Sequence, residues 1–261
     1  MQAVDTALGQ GVNAVMIVVT NQGLGPAIVE KCRAVNVALM TIDDTIKDDK
    51  GEQIFHVGIN TRDLGYYGAK ALVELARQKG FFKEGNVVKL MLVDLSILSV
   101  THERTPGYIE GFKEFMPEVN EADYVNVDST PDGMIESAMR VVSAGLSAHP
   151  EVTHWLITGI NGDGAIGAMR VFEERNFLVE NLIACGLGGY ELSLNEFKKD
   201  HSSYICTILF PNKEGKKAVE LLYDNLIKGT SLSTFTQVLG KVEVATHDNW
   251  QQFFPDGKLP W

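Results

Sequence analysis

Short apolar runs rich in β-branched residues alternate with segments of helical periodicity about eight times along this chain. That alternation leaves few folds open, because strands joined by helical crossovers settle into a parallel sheet with helices on its faces. The stretch HPEVTHWLITGINGDGAIGAMR, from His149 to Arg170, shows the unit most clearly. Val152 to Thr158 reads as a strand, Asn161 to Gly164 as a tight turn, and Ala165 to Phe172 as a helix. A polar side chain just past the carboxyl end of a buried strand faces the crevice where such sheets bind ligands, so Asn161 can both donate and accept hydrogen bonds there. As the residue that opens a helix, it can equally serve only as its N-cap.

The rest of the chain repeats the unit. Strands are expected at Asn13 to Val19, Val37 to Ile42, Phe55 to Ile59, Asn86 to Val93, Tyr124 to Val127, Leu182 to Leu187 and Tyr204 to Leu209, with an extended segment from Phe235 to Ala245. The run NAVMIVV at Asn13 to Val19 is almost uninterrupted, the mark of a strand covered on both faces. Helices are expected at Gln2 to Leu8, Pro26 to Val35, Arg62 to Lys79, Glu103 to Phe115, Pro131 to Ser147, Tyr190 to Lys199 and Lys213 to Ile227, with a short one closing the chain. The 261 residues suffice for one large domain or two smaller ones, each with its own core.

Polar residues collect where these strands end. Asp43 and Asp44 follow one strand; alternation would send their side chains in opposite directions, one toward a crevice, unless both serve a turn or cap. Arg104 lies in the first turn of a helix, where the macrodipole disfavours a cation, so a ligand or a carboxylate is expected to compensate it. With Asn161 and Glu191, these groups form a set of acceptors, a forked donor and an amide suited to a polyhydroxylated neutral ligand.

Several classes are excluded. A net charge of -11 repels nucleic acid and anionic membranes. No apolar run is long enough to span a bilayer, and the first residues do not form a signal peptide. Cys32, Cys185 and Cys206 form no CxxC pair and read as small buried apolar residues. Phosphate-loop, dinucleotide, zinc-protease and nucleophile-elbow motifs are missing, so no cofactor and no catalysis are expected.

Four stretches carry a family likeness: HPEVTHWLITGIN, IDD at Ile42 to Asp44, SVTHERTPGYIEGF at Ser99 to Phe112, and VATHDNW near the end. Together they make the chain resemble the arabinose-binding branch of the type I periplasmic sugar-binding proteins of ABC transporters, over essentially its whole length. The resemblance implies two Rossmann-like, doubly wound α/β lobes, residues 1–59 with 210–241 and residues 60–209 with 242–261. It further implies a mostly monomeric, periplasmic protein that closes by hinge motion on a monosaccharide such as L-arabinose and delivers it to an ABC permease. Position by position, Asp44 would hold the anomeric hydroxyl with Asp43 beside it, Arg104 the ring oxygen, and Asn161 hydroxyls from the second lobe. Leu98 and Ile160 would line the site. Gly188 and Glu191 stand where the family has an asparagine and an aspartate, which changes the hydroxyl geometry.

The family also begins with a strand, a helix and a strand carrying a lysine, a glutamate and a tryptophan that touch the sugar, whereas this chain starts at the next helix. The first lobe is therefore expected to be incomplete at its amino terminus, with an exposed sheet edge. Two other functions fit an α/β fold. The sugar-sensing domain of a LacI-type regulator would carry a basic helix-turn-helix at its front, and an enzyme using Asp44 as a base would need a nucleophile or cofactor loop.

Overall fold

The computed structural model describes residues 1–200, 202–237 and 242–260. In chain order the elements are α1 (Gln2–Gly9), β1 (Ala14–Ile17), α2 (Gly25–Ala34), β2 (Ala38–Ile42), β3 (His56–Gly58), α3 (Thr61–Lys79), β4 (Val88–Asp94), α4 (Ser99–His102) and α5 (Arg104–Phe115). They continue with β5 (Tyr124–Asp128), α6 (Ile135–Ser147), β6 (His154–Gly159), α7 (Gly162–Glu174), β7 (Leu182–Gly188) and α8 (Glu191–Phe197). Last come β8 (Tyr204–Ile208), α9 (Pro211–Lys228), β9 (Phe235–Gln237) and β10 (Glu243–Ala245). Strand and helix alternate as the α/β reading requires. The chain divides into two compact units, Met1–Asn60 with Phe210–Gly240 and Thr61–Leu209 with Lys241–Trp261. Among the described residues no helix is long and apolar enough to cross a membrane.

In the first unit the described strands form a parallel sheet in the order β1-β2-β3-β9. Val15 and Val19 pack with Val4 of α1 and with Ile28, Val29 and Cys32 of α2 on one face. On the other, Ala218 and Leu222 of α9 cover Met40 and Val57. That helix lies over β2 and β3 rather than over the edge strand, so Met16 and Val18 remain 38% and 49% exposed. The apolar run at Asn13 to Val19 is thus covered along one face, while on the other only Ala14 packs against the α9 cluster, contrary to the two-sided burial expected from its composition. A continuous apolar run states that a strand is greasy; which faces are covered depends on where the helices come to lie.

The second unit holds a six-stranded sheet in the order β10-β8-β7-β6-β4-β5. All pairs are parallel except β10, which runs antiparallel to β8 along the edge. Strands β7 and β8 are buried at every position, and β5 at the other edge alternates buried and accessible, as central and edge strands should. The chain passes from β4 outward to β5, then returns to lay β6 on the opposite side of β4. That reversal is a topological switch point, the place where an open α/β sheet leaves a crevice beyond its strand ends.

Most boundaries lie within two residues of those read in the sequence, and three departures are larger. Helix α6 begins at Ile135 rather than Pro131, because Gly133 takes φ +66° and the Asp132 carboxylate accepts from the Met134 amide, holding 131–134 as a turn. The loop after β4 contains the short helix α4. The expected extended segment Phe235 to Ala245 is represented by β9 and β10, with residues 238–241 outside the described residues.

Candidate functional site

In the second unit the switch point is built from the ends of β4 and β6 and the helices that follow them. Helices α3 and α5 approach so closely that a Cβ on Gly65 would sit 2.1 Å from the Arg104 carbonyl oxygen, and one on Gly107 would sit 2.0 Å from that of Arg62. This contact fixes the start of α5, and with it Arg104, which is 7% exposed. The guanidinium reaches across to the residue just past β6, where Nη1 donates to the Ile160 carbonyl at 2.5 Å. One turn on, the buried Tyr108 hydroxyl donates to the Gly159 carbonyl at 3.4 Å, and burial holds its phenol well above the ordinary range. A charged fork is therefore tied to the carboxyl end of the central strand instead of swinging in solvent.

Asn161 opens α7 and caps it: Oδ1 accepts from the Gly164 amide at 2.7 Å, and Nδ2 donates to the Gly133 carbonyl at 3.2 Å. The cap does not exhaust this residue, since a carboxamide so held keeps one N–H and one lone pair. Replacing Asn161 with alanine should cost about 1 kcal/mol of stability through the lost cap. Asn161→Asp retains the accepting oxygen and should recover most of that loss, and urea unfolding of both variants measures the difference.

Ile160 is buried beside it, and Leu98, half-buried in the loop after β4, accepts from the His102 amide and the Thr101 hydroxyl through its carbonyl. At the end of β7, Gly188 takes φ +111°, and a Cβ there would lie 2.6 Å from the Tyr190 ring. Only glycine suits that position, so it offers backbone and nothing more. Glu191 begins α8 and is exposed. Two neighbours escaped the sequence reading: Tyr190, whose ring fills the space beside Gly188, and the pair formed by Asp94 and the His102 Nδ1 at 2.7 Å. No motif marks either, because each is defined by what folds against it. Cys185 and Cys206 are free and buried in this unit, and burial pushes their thiols up to about 12 and about 11, which keeps them protonated and inert.

In the first unit, β2 ends at Ile42, and Asp43 adopts a left-handed φ of +62° with its amide donating to the Val57 carbonyl at 3.1 Å. Strand alternation accordingly does not govern where the two aspartates point; a turn does. Asp44 is the more buried of the two, at 9% exposure. A third carboxylate, missed in the sequence, joins them. Glu214 in the first turn of α9 is 4% exposed, and burial, followed by the charge of Asp43, raises it to about 7. An acidic residue in a helical first turn is ordinary, so nothing in the sequence marked it. His56, paired with the Thr41 hydroxyl at 2.9 Å, is held below its ordinary range by burial, with Asp43 opposing.

Buried polar groups gathered at a switch point define a ligand-binding α/β protein. A profile of the periplasmic binding protein domain matches residues 1–231, and the chain belongs to that family. Among curated proteins it is similar to the L-arabinose-binding periplasmic protein of Escherichia coli (strain K12), 27% identical over 258 residues that cover 97% of this chain and 76% of the relative. It is likewise similar to the ABC transporter L-arabinose-binding periplasmic protein of Azospirillum brasilense, 26% identical over 96% of this chain and 75% of that one. Among solved structures, a periplasmic solute-binding protein of an ABC transporter from Actinobacillus succinogenes, with bound D-allose, superposes with a TM-score of 0.77 at 18% identity, over 96% of this chain and 84% of that one. These relatives are binding proteins, not enzymes, and the enzyme reading of Asp44 is set aside.

Proposed function

We propose that the protein is a periplasmic solute-binding protein that captures a neutral monosaccharide, L-arabinose or a related aldose, and delivers it to an ABC permease. The observation that carries this reading is the anchored fork at the switch point: Arg104 held on the Ile160 carbonyl just past β6, with Asn161 immediately beyond it. A guanidinium and a carboxamide match ring and hydroxyl oxygens, while carboxylates such as Asp43, Asp44 and Glu191 accept from hydroxyls. Leu98 and Ile160 supply apolar surface, and Gly188 supplies backbone. The two relatives named for L-arabinose support that sugar as the first to test. The chain passes between its two units three times, consistent with capture by hinge closure.

Calorimetry with L-arabinose, galactose, fucose, xylose and ribose tests the reading. Submillimolar binding of one of them is expected, and Arg104→Ala or Asp44→Ala should abolish it, a loss of about a hundredfold or more for a buried charge-assisted contact. The absence of binding to all five sugars would overturn it.

A further inference from the structure

Arg104 owes its placement to more than the carbonyl it touches. Strand β4 ends at Asp94, which by alternation shares a face with Leu90 and Leu92, the face that α3 and α5 cover. The Asp94 carbonyl accepts from the Ser129 amide at 2.8 Å and from its hydroxyl at 2.7 Å, and Oδ1 accepts from the Leu95 amide at 2.7 Å. Oδ2 meets the His102 Nδ1 at 2.7 Å, and since a carboxylate only accepts, the ring nitrogen supplies the hydrogen. Asp94 is thus a fixed post, and the imidazole is fastened to it. His102 closes α4, and Arg104 opens α5 two residues on. The Ile160 carbonyl that holds the guanidinium belongs to a residue whose amide donates to the Val93 carbonyl at 3.2 Å, one residue before Asp94. The contacts therefore close into a ring: from Asp94 to His102, along the backbone to Arg104, across to Ile160, and back to Val93. In an open series of contacts the last member can swing, whereas in a closed ring each holds the others.

We propose that His102, oriented by Asp94, is a positioning residue for solute capture: it sets where the junction between α4 and α5 sits, and so where the Arg104 fork is aimed. The inference rests on the solute-binding reading and deepens it by naming a residue that acts through Arg104 rather than on the solute itself. An arginine aimed before the solute arrives has no rotamer freedom left to lose on binding, which is the gain from preorganisation. The same pair adds little to folding stability, because the His102 side chain is 46% exposed. Affinity should therefore depend on His102 more steeply than stability does.

The test is titration calorimetry of the wild type and of His102 variants with L-arabinose and the other four aldoses, alongside urea unfolding. His102→Ala should weaken binding roughly tenfold, the low end of what the loss of an orienting outer partner costs in metal sites, with little change in the urea midpoint. His102→Asn, whose side-chain N–H lies where ring Nδ1 was, should restore most of the affinity, and His102→Gln, whose amide nitrogen reaches the Nε2 position instead, should not. In an Arg104→Lys background, where no fork remains to be aimed, His102→Ala should cost little further affinity. Wild-type affinity in His102→Ala, no rescue by asparagine, or an equal cost in both backgrounds overturns the positioning role while leaving solute binding intact. Hydrogen exchange of the Arg104 guanidinium, followed by nitrogen-15 spectra without sugar, decides where a variant binds too weakly to measure. It should quicken in His102→Ala, and unchanged exchange also overturns the role. If the wild type binds none of the five aldoses, the solute-binding reading itself fails, and positioning for capture fails with it.

Discussion

Glu214→Gln should unfold at a higher urea concentration than the wild type at pH 8 and at the same concentration near pH 4. The sign follows from linkage. Burial and Asp43 raise the folded-state value of Glu214 to about 7, above the value near 4.5 that the unfolded chain retains. The stability contributed by the neutral acid is complete below about pH 4.5 and is lost progressively up to about pH 7, after which it stays lost. Glutamine carries no charge to bury, so the variant avoids that loss, which amounts to at most about 3 kcal/mol. Urea midpoints for both proteins between pH 4 and pH 9 measure it. Curves that run parallel over the whole range would show that the Glu214 carboxyl is hydrated or compensated after all.

Gly107→Ala should lower stability by about 3 kcal/mol or more, with Gly65→Ala close behind. An alanine Cβ at these positions would overlap a backbone carbonyl oxygen, at 2.0 Å from Arg62 and 2.1 Å from Arg104. A backbone atom cannot rotate away as the tip of a side chain can, so α3 and α5 must separate and open the core they share, around Leu72, Tyr108 and Phe112. Alanine ordinarily stabilises a helix relative to glycine by up to about 1 kcal/mol, so the expected sign runs against propensity. Gly215→Ala in α9 is the internal control: nothing lies within 4 Å of its Cβ, and it should be neutral or stabilising. Because Arg104 opens α5, the separation should also weaken sugar binding in both variants at α3 and α5, and not in the control. Equal stability of Gly107→Ala and the control would mean that the two helices are free to slide.

The sequence alone determined the period of each segment, and the period was enough to place most elements. Alternation of apolar strands with amphipathic helices is a local property, set within each window by side-chain direction and backbone preference. It put Arg104 at the head of α5, and Asn161 just beyond β6. Where local turn chemistry competes with helical periodicity, as at Gly133, the boundary moved. What the tertiary structure alone decided is which faces are covered and which charges meet. The run at Asn13 to Val19 is apolar on both sides, yet Met16 and Val18 are left open because α9 lies over β2 and β3. Gly188 looks like one more turn glycine until Tyr190 is seen against it. Glu214 is unremarkable in its helix and becomes a proton-holding group only where the fold brings it beside Asp43 and away from water. Burial and electrostatic partnership join residues far apart in the chain, and no local pattern encodes which pairs will meet.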